Sequence, residues 1–232
     1  LYHNLKHYLI MKKTLYILIY LIGVSSIAQN FDNISNTGML IFTKAKTPDE
    51  YTGSPYVEDE FTQGKIVDVD KNRSQTAYLK FNAIEDVVEI KLNKDDEKVH
   101  ILPKLKNLKY DMGDYNYIID NYRVKGGGNL EGYFLEYFYE DNIRFLAFPE
   151  GKLTPATTTE TGYQKPKPAN LRIDYTYYIQ RDLGPLEEVK LKNRDFKEIF
   201  ADEDLIQSYI KKNKIKTESD VVLMLKYYIN NN

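Results

Sequence analysis

Between Gly64 and Leu191 the hydrophobic positions recur with a period of two. Ala77, Leu79 and Phe81 alternate with Tyr78 and Lys80, and Val88, Ile90 and Leu92 alternate with Glu89 and Lys91. Successive side chains of a strand point to opposite faces, so this pattern predicts half-buried strands. Asn82 to Asp86 then reads as the turn of a hairpin. A charged link from Asn93 to Lys98 leads into a strand around His100, and further strands are predicted over Leu108 to Met112 and Tyr115 to Val124. The cleanest alternation is Leu171, Ile173, Tyr175, Tyr177 and Ile179 against Arg172, Asp174, Thr176, Tyr178 and Gln180. A turn at Asp182 to Gly184 and a last strand through Val189 and Leu191 follow.

After Lys192 the period changes to about 3.6, the repeat of an amphipathic helix. Asp195 to Phe200 predicts a short helix. Leu205, Ile206, Tyr209 and Ile210 share one helical face, and Val221, Val222, Leu225, Tyr228 and Ile229 share another. Thr217-Glu-Ser-Asp220 has the form of a capping box with Asp in place of Glu. The expected fold class is α+β: an antiparallel sheet or meander of about 8–10 short strands followed by a C-terminal pair of amphipathic helices. Residues 64–232 form one β-rich domain with its helices in 193–230, and residues 29–63 are an exposed lead-in with a short strand at Met39 to Phe42. The Pro- and Thr-rich stretch from Glu150 to Asn170 reads as a long loop within that domain.

Three consecutive glycines, Gly126 to Gly128, stand before the aromatic run Tyr133 to Tyr139. A phosphate-binding loop would follow a strand, open a helix and carry a Lys-Ser/Thr pair. A β-prone run follows instead, so the glycines predict a bend. Asp141-Asn142 suits a tight turn that pairs Phe138 with Phe145 and Tyr139 with Arg144. That register puts Phe134, Phe138, Phe145 and Ala147 on one face, and Tyr133, Leu135, Tyr137, Tyr139, Leu146 and Phe148 on the other. Apolar character on both faces predicts a strand pair covered on each side.

The N-terminal pattern changes the picture of location. Met11-Lys12-Lys13 precedes an apolar run from Leu15 to Val24 and the small-x-small end Ser26-Ile27-Ala28. Basic start, short apolar core and small-residue boundary predict a secretory signal peptide over 11–28, cleaved before Gln29. The run is about half the ~20 apolar residues of a spanning helix. Residues 1–10 lie upstream of Met11 and read as an extension of the gene model. Cleavage leaves 204 residues with 29 Lys and Arg against 34 Asp and Glu, a net charge of −5. That balance gives no reason to expect a nucleic-acid partner. The chain has no cysteine, which excludes disulfides, thiolate metal sites and a lipid-modified N-terminal Cys, and no stable membrane anchor is expected after cleavage. The expected location is the periplasm, with the extracellular space as the alternative.

Candidate chemistry is sparse. His100 is the one histidine beyond the signal segment and reads as a surface imidazole. Asp68-Val-Asp70-Lys-Asn72 begins like a calcium loop, but Arg73 and Leu79 stand where the turn Gly and the bidentate Glu are needed. Ser208-Tyr-Ile-Lys211 matches Ser-x-x-Lys yet falls inside an amphipathic helix. No metal or cofactor is expected. Two binding surfaces are expected: the Gly53 to Phe61 loop with Tyr56 and its acids, and a face formed by Tyr133, Tyr137, Tyr139 and Arg144, suited to an envelope protein, glycan or peptide. Tyrosine also fits the bland reading of that face, a core with hydroxyls at its rim. The rival expectation is a glycan or peptide hydrolase using Glu58 and Glu60 as a carboxylate pair.

The segments Gly53 to Lys65, Ala77 to Leu92, Gly132 to Tyr139, Gly162 to Ala169 and Leu205 to Asn230 resemble an uncharacterised family of exported proteins from Bacteroidota-type bacteria. Where that family carries Arg-Tyr-Asn, this chain has Lys80-Phe81-Asn82. The resemblance implies export and assigns no activity or catalytic residue.

Overall fold

The computed structural model describes residues 51–157 and 167–232. The expected signal segment, the strand expected at Met39 to Phe42 and the centre of the loop expected over Glu150 to Asn170 lie outside the described residues. Eleven strands form one curled sheet: β1 (Tyr51–Gly53), β2 (Thr62–Asp68), β3 (Arg73–Asn82), β4 (Val87–Lys91), β5 (His100–Ile101), β6 (Leu108–Asp111), β7 (Asn116–Arg123), β8 (Asn129–Glu140), β9 (Ile143–Thr154), β10 (Ala169–Arg181) and β11 (Glu187–Val189). Three helices close the chain: α1 (Asn193–Ile199), α2 (Asp204–Lys212) and α3 (Glu218–Asn231). The strand order is β1-β10-β9-β8-β7-β6-β2-β3-β4-β5, with β11 also on β10.

The expected α+β class with C-terminal helices holds, but the sheet is mixed, because β1 pairs parallel to β10. Part of the expected lead-in is therefore sheet. Tyr51 to Gly53 pairs with Ala169 to Leu171, while the amide of Val57 donates to the carbonyl of Phe81 and that of Ala83 to the carbonyl of Pro55. One short stretch of chain thus bonds to both β10 and the end of β3. Gly53 is required at that junction: its φ is +82°, and a Cβ there would lie 1.9 Å from the Leu171 carbonyl oxygen.

The hairpin turn at Asp141-Asn142 forms as expected, pairing Phe138 with Phe145 and Tyr139 with Arg144. Upstream the register shifts at a bulge between Glu136 and Phe138. A bulge inserts one residue against the alternation, so the faces assigned to residues 133–136 are exchanged. Tyr133 and Leu135 belong with Phe138, Phe145 and Ala147 on the inner face. Phe134 and Glu136 belong with Tyr139, Arg144 and Leu146 on the outer one.

Both faces are covered. Phe138, Phe145, Ile179 and Val189 meet Phe196, Phe200, Ile206, Ile210, Val221, Met224, Leu225 and Tyr228 of the helices in one buried cluster. Ile118, Tyr122, Phe134, Leu146, Tyr178 and Leu186 form a second on the opposite face. The capping box expected at Thr217 and Asp220 is present at the start of α3. Further along the inner face, Phe81 stacks on Tyr117 with ring centroids 4.8 Å apart and meets Tyr133 edge-on at 5.6 Å.

Candidate binding site

The curl directs several tyrosine side chains inward. Asn116–Arg123 pairs with β8 and β6, which sets Tyr117 opposite Tyr110, whose ring meets that of Tyr133 at 6.0 Å. Tyr115 lies at the entry to the same strand, 5.4 Å from Tyr117 and 5.6 Å from Tyr137. Because Tyr137 occupies the bulge, it faces this interior, 5.5 Å from Phe145, which in turn stacks on Tyr177 of β10 at 6.0 Å. Tyr175, two residues back on the same face, is 39% exposed and forms the rim.

Two carboxylates sit among these rings. Glu58 is carried inward by the chain that joins β1 to β2. Its Oε1 accepts from the hydroxyls of Tyr115 at 2.7 Å and Tyr117 at 2.6 Å, and its Oε2 accepts from the amide of Phe81 at 2.8 Å. Glu218 opens α3 and accepts from the Tyr177 hydroxyl. Among the described residues neither carboxylate is ion-paired. Burial raises the Tyr175 pKa, and the charges of Glu58 and Glu218 raise it further. Burial and the charge of Glu218 likewise raise that of Tyr137.

The rim opens beside β10. Its Asn170 to Arg181 stretch pairs continuously with β9 on one side. On the other side β1 takes Ala169 to Leu171 and β11 takes Tyr177 to Ile179. Among the described residues, Arg172 to Thr176 has no strand on that side. A cleft of about 370 Å³ lies at the Tyr175 end of that interval, lined by Tyr175, Thr176 and Tyr177 and by Glu188 to Lys192 of β11 and the chain that follows it.

The residues expected from sequence divide between this site and other places. Tyr137 and Glu58 belong to it. Tyr133 is 1% exposed and offers no surface, because the bulge turns it into the core. Tyr139 and Arg144 lie on the opposite face, so the four-residue platform does not exist as one surface. There the Arg144 guanidinium lies 4.0 Å from the Tyr139 ring centre, donates to the Tyr122 hydroxyl and faces the buried Glu136. Tyr56 also points outward, where its hydroxyl donates to Glu89 Oε1 at 3.2 Å and Lys80 lies over its ring. Of the two acids of the rival reading, Glu58 accepts three hydrogen bonds, and Glu60 is exposed. Tyr115, Tyr117, Tyr175, Tyr177 and Glu218 join the site without any motif that marks them as binding residues. The shared face of Tyr175 and Tyr177 in the cleanest strand was the one available signal.

The buried phenols make the fold alkali-sensitive. Burial pushes Tyr110 up to about 12, and it raises Tyr115, Tyr117 and Tyr133 as well. Burial, followed by the Glu89 carboxylate, pushes Tyr56 up to about 12. In the unfolded chain these groups ionise near 10. A raised native pKa means that their stabilisation is intact below pH 10 and is lost as pH rises through about 12. Absorbance at 295 nm should show fewer tyrosinates at pH ~11 in the native protein than in guanidinium. The unfolding midpoint should fall steadily above pH ~10. Coincident titration curves would contradict the burial.

No known family profile matches the chain, and neither the curated proteins nor the solved structures contain a match.

Proposed function

We propose that the protein is an exported, non-catalytic binding or assembly protein of the cell envelope that takes its ligand at the tyrosine-lined mouth beside β10. The observation that carries this reading is the coincidence of an interrupted strand edge, a cleft and two carboxylates anchored by tyrosine hydroxyls. Strand edges and aromatic surfaces both serve as recognition elements, and here they converge. Glu58 is fixed by three donors, an arrangement suited to presenting charge in one place. Export rests on the signal-like N-terminus and on the resemblance to an exported family. The periplasm is the compartment this favours, with the extracellular space as the alternative.

Site-directed photocrosslinking in the native envelope tests the proposal. A benzophenone side chain replacing Tyr175 should form a defined adduct, and the same group replacing Tyr139 should not. An adduct from position 139 alone would move the site to the outer face, and none from either position would remove the binding reading.

A further inference from the structure

We infer that the interval in the β10 edge accepts an extended peptide as an added strand, with a Lys or Arg side chain of that peptide directed inward between Tyr175, Tyr177 and the carboxylates of Glu58 and Glu218. This rests on the mouth being the binding site and specifies what enters it. The edge is the first argument. Continuous pairing with β9 occupies one side of β10, so β1 and β11 must both lie on the other, and that side is competent to pair at each end of the interval. Arg172 to Thr176 spans ~17 Å at about 3.3 Å per residue, the length of a four- or five-residue strand. Neither Pro nor a bulge interrupts it, and its two charged residues, Arg172 and Asp174, pair with each other at 3.0 Å. The cleft of about 370 Å³ supplies room at the Tyr175 and Thr176 end of the interval.

Side-chain chemistry is the second, independent argument. Alternate residues of an added strand point inward, and those opposite Ile173 and Tyr175 would reach the aromatic interior. There Glu58 and Glu218 are held by phenols rather than by cations. A neutral sugar would leave both charges uncompensated, and an acidic side chain would be repelled. An ammonium or guanidinium is attracted both to the carboxylates and to the ring faces. Lys190 and Lys192 line the far wall of the cleft with Glu188. They disfavour a cation there, which confines the basic group to the inward position.

Calorimetric titration of the mature chain tests this with a capped five-residue peptide carrying valine at its odd positions and lysine at its even ones. It should bind with Kd of about 10–100 μM, replacing both lysines by norleucine should weaken it at least tenfold, and N-methylation of alternate amides should abolish binding. Glu218→Gln keeps an acceptor for the Tyr177 hydroxyl and should reduce the preference for lysine over norleucine at least threefold, whereas the exposed Glu60→Gln should retain it. Equal affinity for the two peptides would overturn the basic side chain. Binding that survives N-methylation would overturn strand addition. If neither peptide binds but a chitooligosaccharide does, and Glu218→Gln weakens it, the mouth remains the binding site and this inference fails. If none of these ligands binds, both fail.

Discussion

Glu136→Ala is expected to destabilise the protein by about 3–5 kcal/mol, the range for breaking a buried ion pair by removing one partner. The Glu136 side chain is 3% exposed; Lys109 Nζ lies 3.0 Å from its Oε1 and Arg144 Nε 3.3 Å from its Oε2. The contact with Arg144 lacks the alignment of a hydrogen bond, so it is held by charge. Arg144 is meanwhile stacked on Tyr139 and bonded to Tyr122. Deleting the carboxylate strands a guanidinium that cannot turn to water without breaking those contacts. The partner Lys109 is 32% exposed and can rotate outward, so Lys109→Met should cost far less, about 1 kcal/mol or below. Urea unfolding of the two variants separates these values. A loss under ~1 kcal/mol for Glu136→Ala would mean that the outer-face triad is hydrated and that Arg144 is available to a ligand.

Leu225→Ala is expected to cost about 2–5 kcal/mol, as for other buried leucines. Leu225 is fully buried, together with Met224 and Val221, in the cluster that joins α3 to Phe138, Phe145 and Ile179. The helices therefore complete the sheet's own core. Their packing also sets the site, because Glu218 at the start of α3 reaches Tyr177 only while that helix is seated. The same substitution should accordingly weaken ligand binding in proportion to the unseating of α3. A variant that unfolds like the parent would show that the helix face is not core.

The sequence was most legible where one local signal decided the structure. The alternation from Leu171 to Ile179, the turn at Asp141-Asn142, the bend at Gly126 to Gly128 and the capping box at Thr217 are all short-range and all formed as read. What the sequence hid depends on pairing at a distance. The three residues of β1 show no period, and only their partner on β10, over a hundred positions away, makes them a strand. The bulge at Tyr137 leaves no mark in the hydrophobic pattern, since Tyr137 and Phe138 suit either face, yet it exchanges the faces of Tyr133 and Phe134. For the same reason Glu58 reads from sequence as one of three loop acids. Its two phenol partners lie 57 and 59 residues downstream.

Hydrogen exchange along β10 tests the site most directly. The outward amides between Arg172 and Thr176 should exchange quickly in the free protein, while the amides paired with β9 stay protected. Adding the lysine-containing peptide should slow the outward amides at least tenfold and leave Tyr139 and Arg144 unaffected. Slow exchange of that interval in the free protein, or protection appearing at Tyr139 and Arg144 instead, would contradict the assignment of β10 as the open edge through which this protein binds.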